Sequence, residues 1–286
     1  MGSDQSLSPE TDFSNAFVYA CHTGELSRVQ ELLASGRVTA EDLDRGLGAA
    51  TRQAQAEIVA TLFDAGASVS DWAMGALHGM SKQDLPVIRL FLDHGLDPNA
   101  MHSNGELILR YILAVPVTVL VLRLILDHSS MLDPTCAREL LSRGADPNRV
   151  GVRGVSHLTG AIVASEDTSL VELLLEYGAK LEQDLLFDAL RPRGRQPQLM
   201  TSFLLDKGLD PNQFNADWGT PLHFAVRTGK PNIVKLLLDA GADPTARSAG
   251  KRYHGEPPSA AAQHQQNPEI KEQLLDLLRS KQLQDT

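Results

Sequence analysis

Cysteine is nearly absent from this chain. Its 286 residues include only Cys21 and Cys136, far apart in sequence. That argues against a disulfide framework and makes a reducing compartment, cytoplasmic or nuclear, the expectation. Aromatics are scarce at 5%, which suits thin layers packed through Leu, Val and Ala. Positive charge is in deficit: 26 Lys and Arg face 36 Asp and Glu, for a net charge of −10. Non-specific nucleic-acid binding draws its affinity from phosphate neutralisation, so this balance argues against it while leaving room for a local basic patch. Long apolar runs are also missing. The most apolar stretch, Leu107 to Leu126, is broken by Arg110, Pro116 and Arg123 and fits two short helices better than a membrane span.

Motifs that carry chemistry are missing as well. None of the histidines stands in HExxH spacing or in a Cys/His metal pattern. There is no GxSxG, P-loop or Gly-rich phosphate fingerprint. Cys21 and His22 are adjacent, but neighbours on a helix point about 100° apart, so by themselves they form no nucleophile–base pair. The sequence therefore gives no positive evidence for an enzyme, and no metal or cofactor is expected. Residues 1–12 are polar, lack the apolar segment of a secretory signal and are expected to be a disordered lead. Met1-Gly2 followed by Ser6 formally fits a myristoylation pattern, without a polybasic partner signal.

What is present is a repeat. Its clearest copy is Asn212 to Asp243. Thr220-Pro221 reads as a helix cap with Pro at the first helical position. An apolar helix follows through Val226, Gly229 breaks it, and a second helix runs from Pro231 to Ala240 with Ile233, Val234, Leu236, Leu237 and Leu238. Gly241-Ala242-Asp243-Pro244 turns the chain away. The ending recurs at Gly36, Gly66, Gly95, Ser129, Gly144, Gly178, Gly208 and Gly241, spaced 30, 29, 34, 15, 34, 30 and 33. An Asp-Pro-Asn exit recurs at Asp97, Asp146 and Asp210; Asp and Asn favour turns through bonds to their own backbone, and Pro fixes φ.

Thr220-Pro221-Leu222-His223, the glycine between helices and the Leu-Leu-Leu…Gly-Ala-Asp exit together resemble an ankyrin repeat, a family with a period of about 33 residues. The resemblance covers roughly residues 14 to 279, although only one copy has the full Thr-Pro-Leu-His. It implies an all-α repeat solenoid of about seven to eight helix-turn-helix repeats with short β-hairpin fingers. Residues 13–279 are expected to form that single solenoid, with an irregular insertion near 130–148 and a disordered tail at 280–286. The insertion is either an extra helix or a repeat that lost its first helix. Short links after Gly36 and Gly66 leave little room for fingers in the N-terminal half. In its degenerate repeats and Asp-Pro-Asn exits the chain looks like filamentous-fungal ankyrin proteins.

The resemblance also implies where a partner would bind: on fingers and first helices, along a concave face. Mapped onto this sequence, those places hold Tyr19, His78, Tyr111, Asp188 and Phe224 on first helices, with Trp72 beside them. The finger candidates are His102, Arg153, Phe214, Trp218 and Arg252. Trp, Tyr and Arg are the usual hot-spot residues of interfaces. The bland alternatives are that Trp218 and Phe214 pack finger against finger, and that His223 bonds backbone between neighbours. The basic loop Arg191 to Pro197 is either a solvated insertion or a contact for an acidic partner. Two functions stay open. One is a non-catalytic protein-interaction module, a monomer with no nucleic acid or membrane among its partners. The other is a small-molecule or catalytic pocket enclosed by the curled solenoid, as in an accessory protein or enzyme of fungal metabolism.

Overall fold

A computed structural model of the protein describes residues 9–80, 83–101, 107–108, 134–150, 154–192, 194–252 and 254–284. They divide into two compact units, Met1–His157 and Leu158–Thr286. Both are built from short helices joined in pairs.

The first unit contains α1 (Pro9–Thr23), α2 (Leu26–Ala34), α3 (Ala40–Arg52), α4 (Ala56–Asp64), α5 (Asp71–His78), α6 (Leu85–Asp93) and α7 (Pro134–Ser142). First helices pack on first helices, α1 on α3 and α3 on α5, while second helices pack α2 on α4, α4 on α6 and α6 on α7. The second unit contains α8 (His157–Ala164), α9 (Ser169–Glu176), α10 (Leu185–Ala189), α11 (Pro197–Asp206), α12 (Pro221–Thr228), α13 (Pro231–Asp239), α14 (Pro258–Gln263) and α15 (Pro268–Gln284). The same rule holds there: α10 and α14 flank α12, and α11 and α15 flank α13. Among the described residues there is no sheet; isolated bridges join Met101 to Leu107 and Asn215 to Gly219.

The recurring Leu-x-x-x-Gly-Ala ending has a physical cause. At the exits after Gly66, Gly95, Gly144, Gly178, Gly208 and Gly241 the following residue donates its N–H five residues back, as in Ala67 to Leu62 (2.9 Å), Leu96 to Phe91 (2.9 Å) and Ala242 to Leu237 (2.9 Å). The glycines sit at positive φ, 95° at Gly66 and 94° at Gly241. This is the Schellman closure, which satisfies carbonyls the helix leaves open. The residue that follows is apolar at these exits and buried at most of them, Leu96 at 4% exposure and Ala242 at 2%, with Ala67 half-buried. The turn between paired helices also demands a left-handed residue. Gly24 (φ 85°) and Gly229 (φ 67°) supply it, and Ala54 (φ 55°) fills the same place at a Cβ penalty.

The Asp-Pro-Asn exits explain how neighbours are registered. Asp97, Asp146 and Asp210 each accept the N–H of the Asn two residues on, at 2.8 Å. That turn aims Asn212 at the next exit, where its amide donates to the Gly241 carbonyl (2.9 Å) and accepts from the Asp243 N–H (2.7 Å). Asn99 does the same to the Gly144 carbonyl (2.8 Å) and the Asp146 N–H (2.7 Å). Asn212→Ala is expected to cost about 1–2 kcal/mol, since both lost bonds are at the surface where water replaces them. Chemical denaturation of wild type and variant measures it, and an unchanged midpoint would show that the bridge carries no stability.

The pairing of Asn99 resolves the break in spacing. The helix stacked on α6 is α7, tied by Arg89 to Glu139 (3.0 Å) and by Arg143 to Asp93 (2.8 Å). The exit facing Gly95 on this side is therefore Gly144, where the spacing alone put Ser129. After Met101 the described residues are Leu107 and Ile108, with the Ile108 N–H bonded to the Ala100 carbonyl (3.1 Å). Residues 109–133 lie outside the described ones. Two further boundaries differ from those read in the sequence. Helix α1 begins at Pro9, inside the expected lead, and α15 runs to Gln284, inside the expected tail. No helix of the described residues is long and apolar enough to cross a membrane.

Candidate functional site

The best-defined cluster of predicted residues lies in the second unit, at the finger between α11 and α12. Asn215 closes that finger: its backbone pairs with Gly219 both ways (2.8 and 2.9 Å), and its side-chain oxygen accepts the N–H groups of Asp217 (3.0 Å) and Trp218 (3.2 Å). The next finger lies alongside, with the Lys251 N–H donating to the Ala216 carbonyl (2.9 Å). Glycine is required at this approach. A Cβ on Gly250 would stand 2.6 Å from the Gly219 nitrogen, which backbone cannot vacate.

Trp218 is thereby held half-exposed over α12. Its ring meets Phe224 edge to face, with centroids 4.9 Å apart. Two guanidinium groups stack on it, Arg227 at 4.3 Å and Arg252 at 4.2 Å from the ring centroid. Arg227 also lies 5.3 Å from the Phe224 ring. Phe214, at the base of the same finger, is 43% exposed. Lys251 pairs with Asp217 (3.4 Å), both well exposed.

Beneath the cluster sits His223, fully buried. Its Nε2 donates to the Glu256 carbonyl (2.9 Å), while Nδ1 accepts from the Thr220 hydroxyl (2.9 Å) and N–H (3.3 Å). That arrangement fits the neutral imidazole, and burial pushes its pKa below the ordinary value. His223 is thus a bolt between neighbouring repeats.

The other predicted residues fall elsewhere. Phe224 is buried at 5% exposure and packs between Trp218 and Phe187, so it supports the surface from below. Asp188, also buried, accepts from the Thr159 hydroxyl (2.8 Å) and pairs with Arg191 (2.8 Å). It is a structural anchor rather than a free contact. Arg195 pairs with Glu166 (2.7 Å), so the basic loop spends two of its arginines inside the chain. In the first unit Tyr19 is 64% and Trp72 51% exposed. Trp72 rests against Gly48, where an added Cβ would lie 2.6 Å from its Nε1, and Arg52 covers its ring at 4.8 Å. The backbone of His78 ends α5; its side chain, and the whole of His102, Tyr111 and Arg153, lie outside the described residues.

Sequence reasoning missed Arg227. The signal was available: Arg227 stands three residues after Phe224 on one helix, a spacing that places two side chains on the same face.

Other groups with chemical potential are spent internally. Cys21 and Cys136 are buried and not joined in a disulfide, and burial pushes the Cys21 thiol up to about 12. A cleft of about 470 Å³ lies where α1 begins, lined by residues that include Phe13, Ser14, Arg37, Asp42 and Arg45. It contains none of the predicted site residues. Its polar groups bond one another: Asp42 accepts from the Ser14 and Thr39 hydroxyls and the Thr39 N–H, and Arg37 stacks on Phe13. Burial would raise the Asp42 carboxyl pKa, but these hydrogen bonds and the charge of Arg45 outweigh it and hold it low. Among the described residues no group of three or more His, Cys, Asp or Glu side chains is placed to hold a metal ion.

Paired short helices, Schellman exits and bridging fingers define a helical repeat fold. Residues 161–248 match the family model for ankyrin repeats. The chain is 56% identical over 45 residues to the 2-5A-dependent ribonuclease of Mus musculus, a match covering 15% of this chain and 6% of that protein. It is 28% identical over 156 residues to the putative ankyrin repeat protein FPV223 of Fowlpox virus, covering 53% of this chain and 97% of that one. The crystal structure of the ankyrin repeat domain of Bcl-3 superposes with a TM-score of 0.51 at 18% identity, covering 82% of this chain and 85% of that domain. Residues 161–248 thus carry ankyrin repeats, and the fold of the chain is the ankyrin-repeat fold.

Proposed function

We propose that the chain is a protein-interaction module whose docking surface in the second unit is the finger carrying Phe214 and Trp218, with Arg227 and Arg252. The observation that carries this reading is Trp218 itself. A large aromatic is held half-exposed between two guanidinium groups and braced from below by Phe224. Such a residue offers contact area at little entropic cost, because the fold has already fixed its rotamer. The exposure of Phe214 beside it supports the same reading, as does the general use of ankyrin repeats in binding proteins.

The test is affinity capture from lysate of the source cells with wild type, Trp218→Ala and Trp218→Phe, after circular dichroism has shown equal helicity. At least one stoichiometric partner is expected to fall tenfold or more with Trp218→Ala and to be partly retained by Trp218→Phe. Equal capture by all three would remove this face from the function.

A further inference from the structure

We propose that the partner segment received at this finger is an extended acidic peptide, whose carboxylates are taken by Arg227 and Arg252 on the Trp218 ring. The proposal rests on the interaction reading above and names the chemistry of the partner.

The chain as a whole is acidic, with a net charge of −10. Against that background residues 214–219 and 247–256 hold Arg247, Lys251 and Arg252 against Asp217 and Glu256, and Arg227 adds to them from α12. Two of these cations are already engaged. Lys251 pairs with Asp217, and Arg247 donates to the Gly255 carbonyl (2.6 Å). Arg227 and Arg252 are not engaged in that way. Both are exposed, and neither guanidinium has a carboxylate partner among the described residues. This contrasts with Arg89, Arg143, Arg191 and Arg195, each paired with an acid of the chain.

Stacking is what makes the pair specific. A guanidinium lying on an indole uses its π face and leaves its N–H edge for a planar acceptor, and the fork matches a carboxylate with two parallel hydrogen bonds. The ring also holds both side chains, so less rotamer freedom is lost on binding than for arginines waving in water. Each Cζ lies 4.2 or 4.3 Å from one centroid, so the two are within about 8.5 Å of each other, the sum of those distances. Alternate side chains of an extended strand are about 6.6 Å apart. That upper bound admits carboxylates at every second residue of an extended peptide, one to each guanidinium.

The probe is acetyl-(Glu-Thr)3-amide, titrated calorimetrically into the full chain at about 50 mM salt, with acetyl-(Gln-Thr)3-amide as the uncharged control. Binding is expected for the acidic peptide alone, weakened severalfold by raising salt to about 300 mM. It is expected to fall at least tenfold in Arg227→Gln/Arg252→Gln and to be unchanged in Arg28→Gln, an exposed arginine of the first unit. Lysine at both positions, which keeps charge but loses the fork, is expected to restore only part of it. No binding of the acidic peptide, or equal binding by the double variant, overturns the proposal. So does binding of single-stranded DNA or anionic vesicles by this pair in place of the peptide. The two readings separate in the capture assay: a partner lost with Trp218→Ala but kept by Arg227→Gln/Arg252→Gln would leave the interface standing and remove its acidic ligand.

Discussion

Replacing His223 by alanine is expected to lower the unfolding free energy of the second unit by about 2–4 kcal/mol. The imidazole is fully buried and makes hydrogen bonds at both ring nitrogens. Truncation leaves the Thr220 hydroxyl and one acceptor site of the Glu256 carbonyl unsatisfied, and opens a cavity between two repeats. The Glu256 carbonyl also receives the Ser248 N–H (2.9 Å), so the finger holding Lys251 and Arg252 is expected to loosen as well. A pH signature distinguishes this bolt from ordinary packing. The folded pKa of His223 lies below the ordinary value of 6.5, so the unfolded chain binds the extra proton more readily. Its contribution is full above about pH 6.5 and is lost as pH falls from there towards the folded pKa. The gap between wild type and His223→Ala should shrink over that interval. Denaturant melts followed by the fluorescence of Trp218 in a Trp72→Phe background measure both effects. A loss under about 0.5 kcal/mol, or a gap independent of pH, would refute the assignment.

In the first unit the largest loss is expected from Phe91→Ala, about 3–5 kcal/mol. Phe91 is fully buried on α6 and meets the Phe63 ring of α4 edge to face, with centroids 5.2 Å apart. Phe63 in turn stacks on His94, ring to ring at 4.2 Å. One side chain thus holds two second helices together, and neighbour-to-neighbour packing is where a repeat protein keeps its stability. The reporter is Trp72, in a Trp218→Phe background. Its transition should move to markedly lower denaturant, and coincidence with the wild-type melt would mean that the cavity closes by collapse.

The two tryptophans divide the molecule usefully, because each sits in a different unit and each is covered by an arginine. The resemblance between the sites is limited. Trp72 lies on a glycine of the preceding first helix, whereas Trp218 is carried by a finger and has two cations on it. A finger residue moves with its turn, and that turn is itself pinned by Asn215 and by the neighbouring finger. The second site is therefore the more strongly preorganised.

The sequence by itself determined the elements. Helix starts follow from Pro at the first helical position, as in α11, α12 and α13, and from caps such as Ser70, whose hydroxyl accepts the Ala73 N–H (3.0 Å). Helix ends follow from the positive-φ glycine and the apolar residue after it. These are interactions within six residues, and local spacing is enough to specify them. It was also enough to read the ankyrin resemblance and to single out Trp218, Phe214 and Arg252. Only the tertiary structure decided what crosses from one repeat to the next. Nothing in the spacing says that Asn99 faces Gly144, because the period put Ser129 there and the hydrogen bonds of Asn99 are made to residues 45 and 47 positions away. Nothing in it says that Phe224 is buried while Trp218 is only half-buried, because exposure on a first helix is set by the finger folded over it. Asp188 stood among the first-helix contact candidates and is held by Thr159, whose distance depends on how helices pair, and by Arg191 three residues on. The cation pair at Trp218 joins α12 to the following finger, residues 25 apart in sequence, Arg227 and Arg252. Periodicity fixes the face a side chain takes on its own helix; which neighbour meets that face is settled by packing.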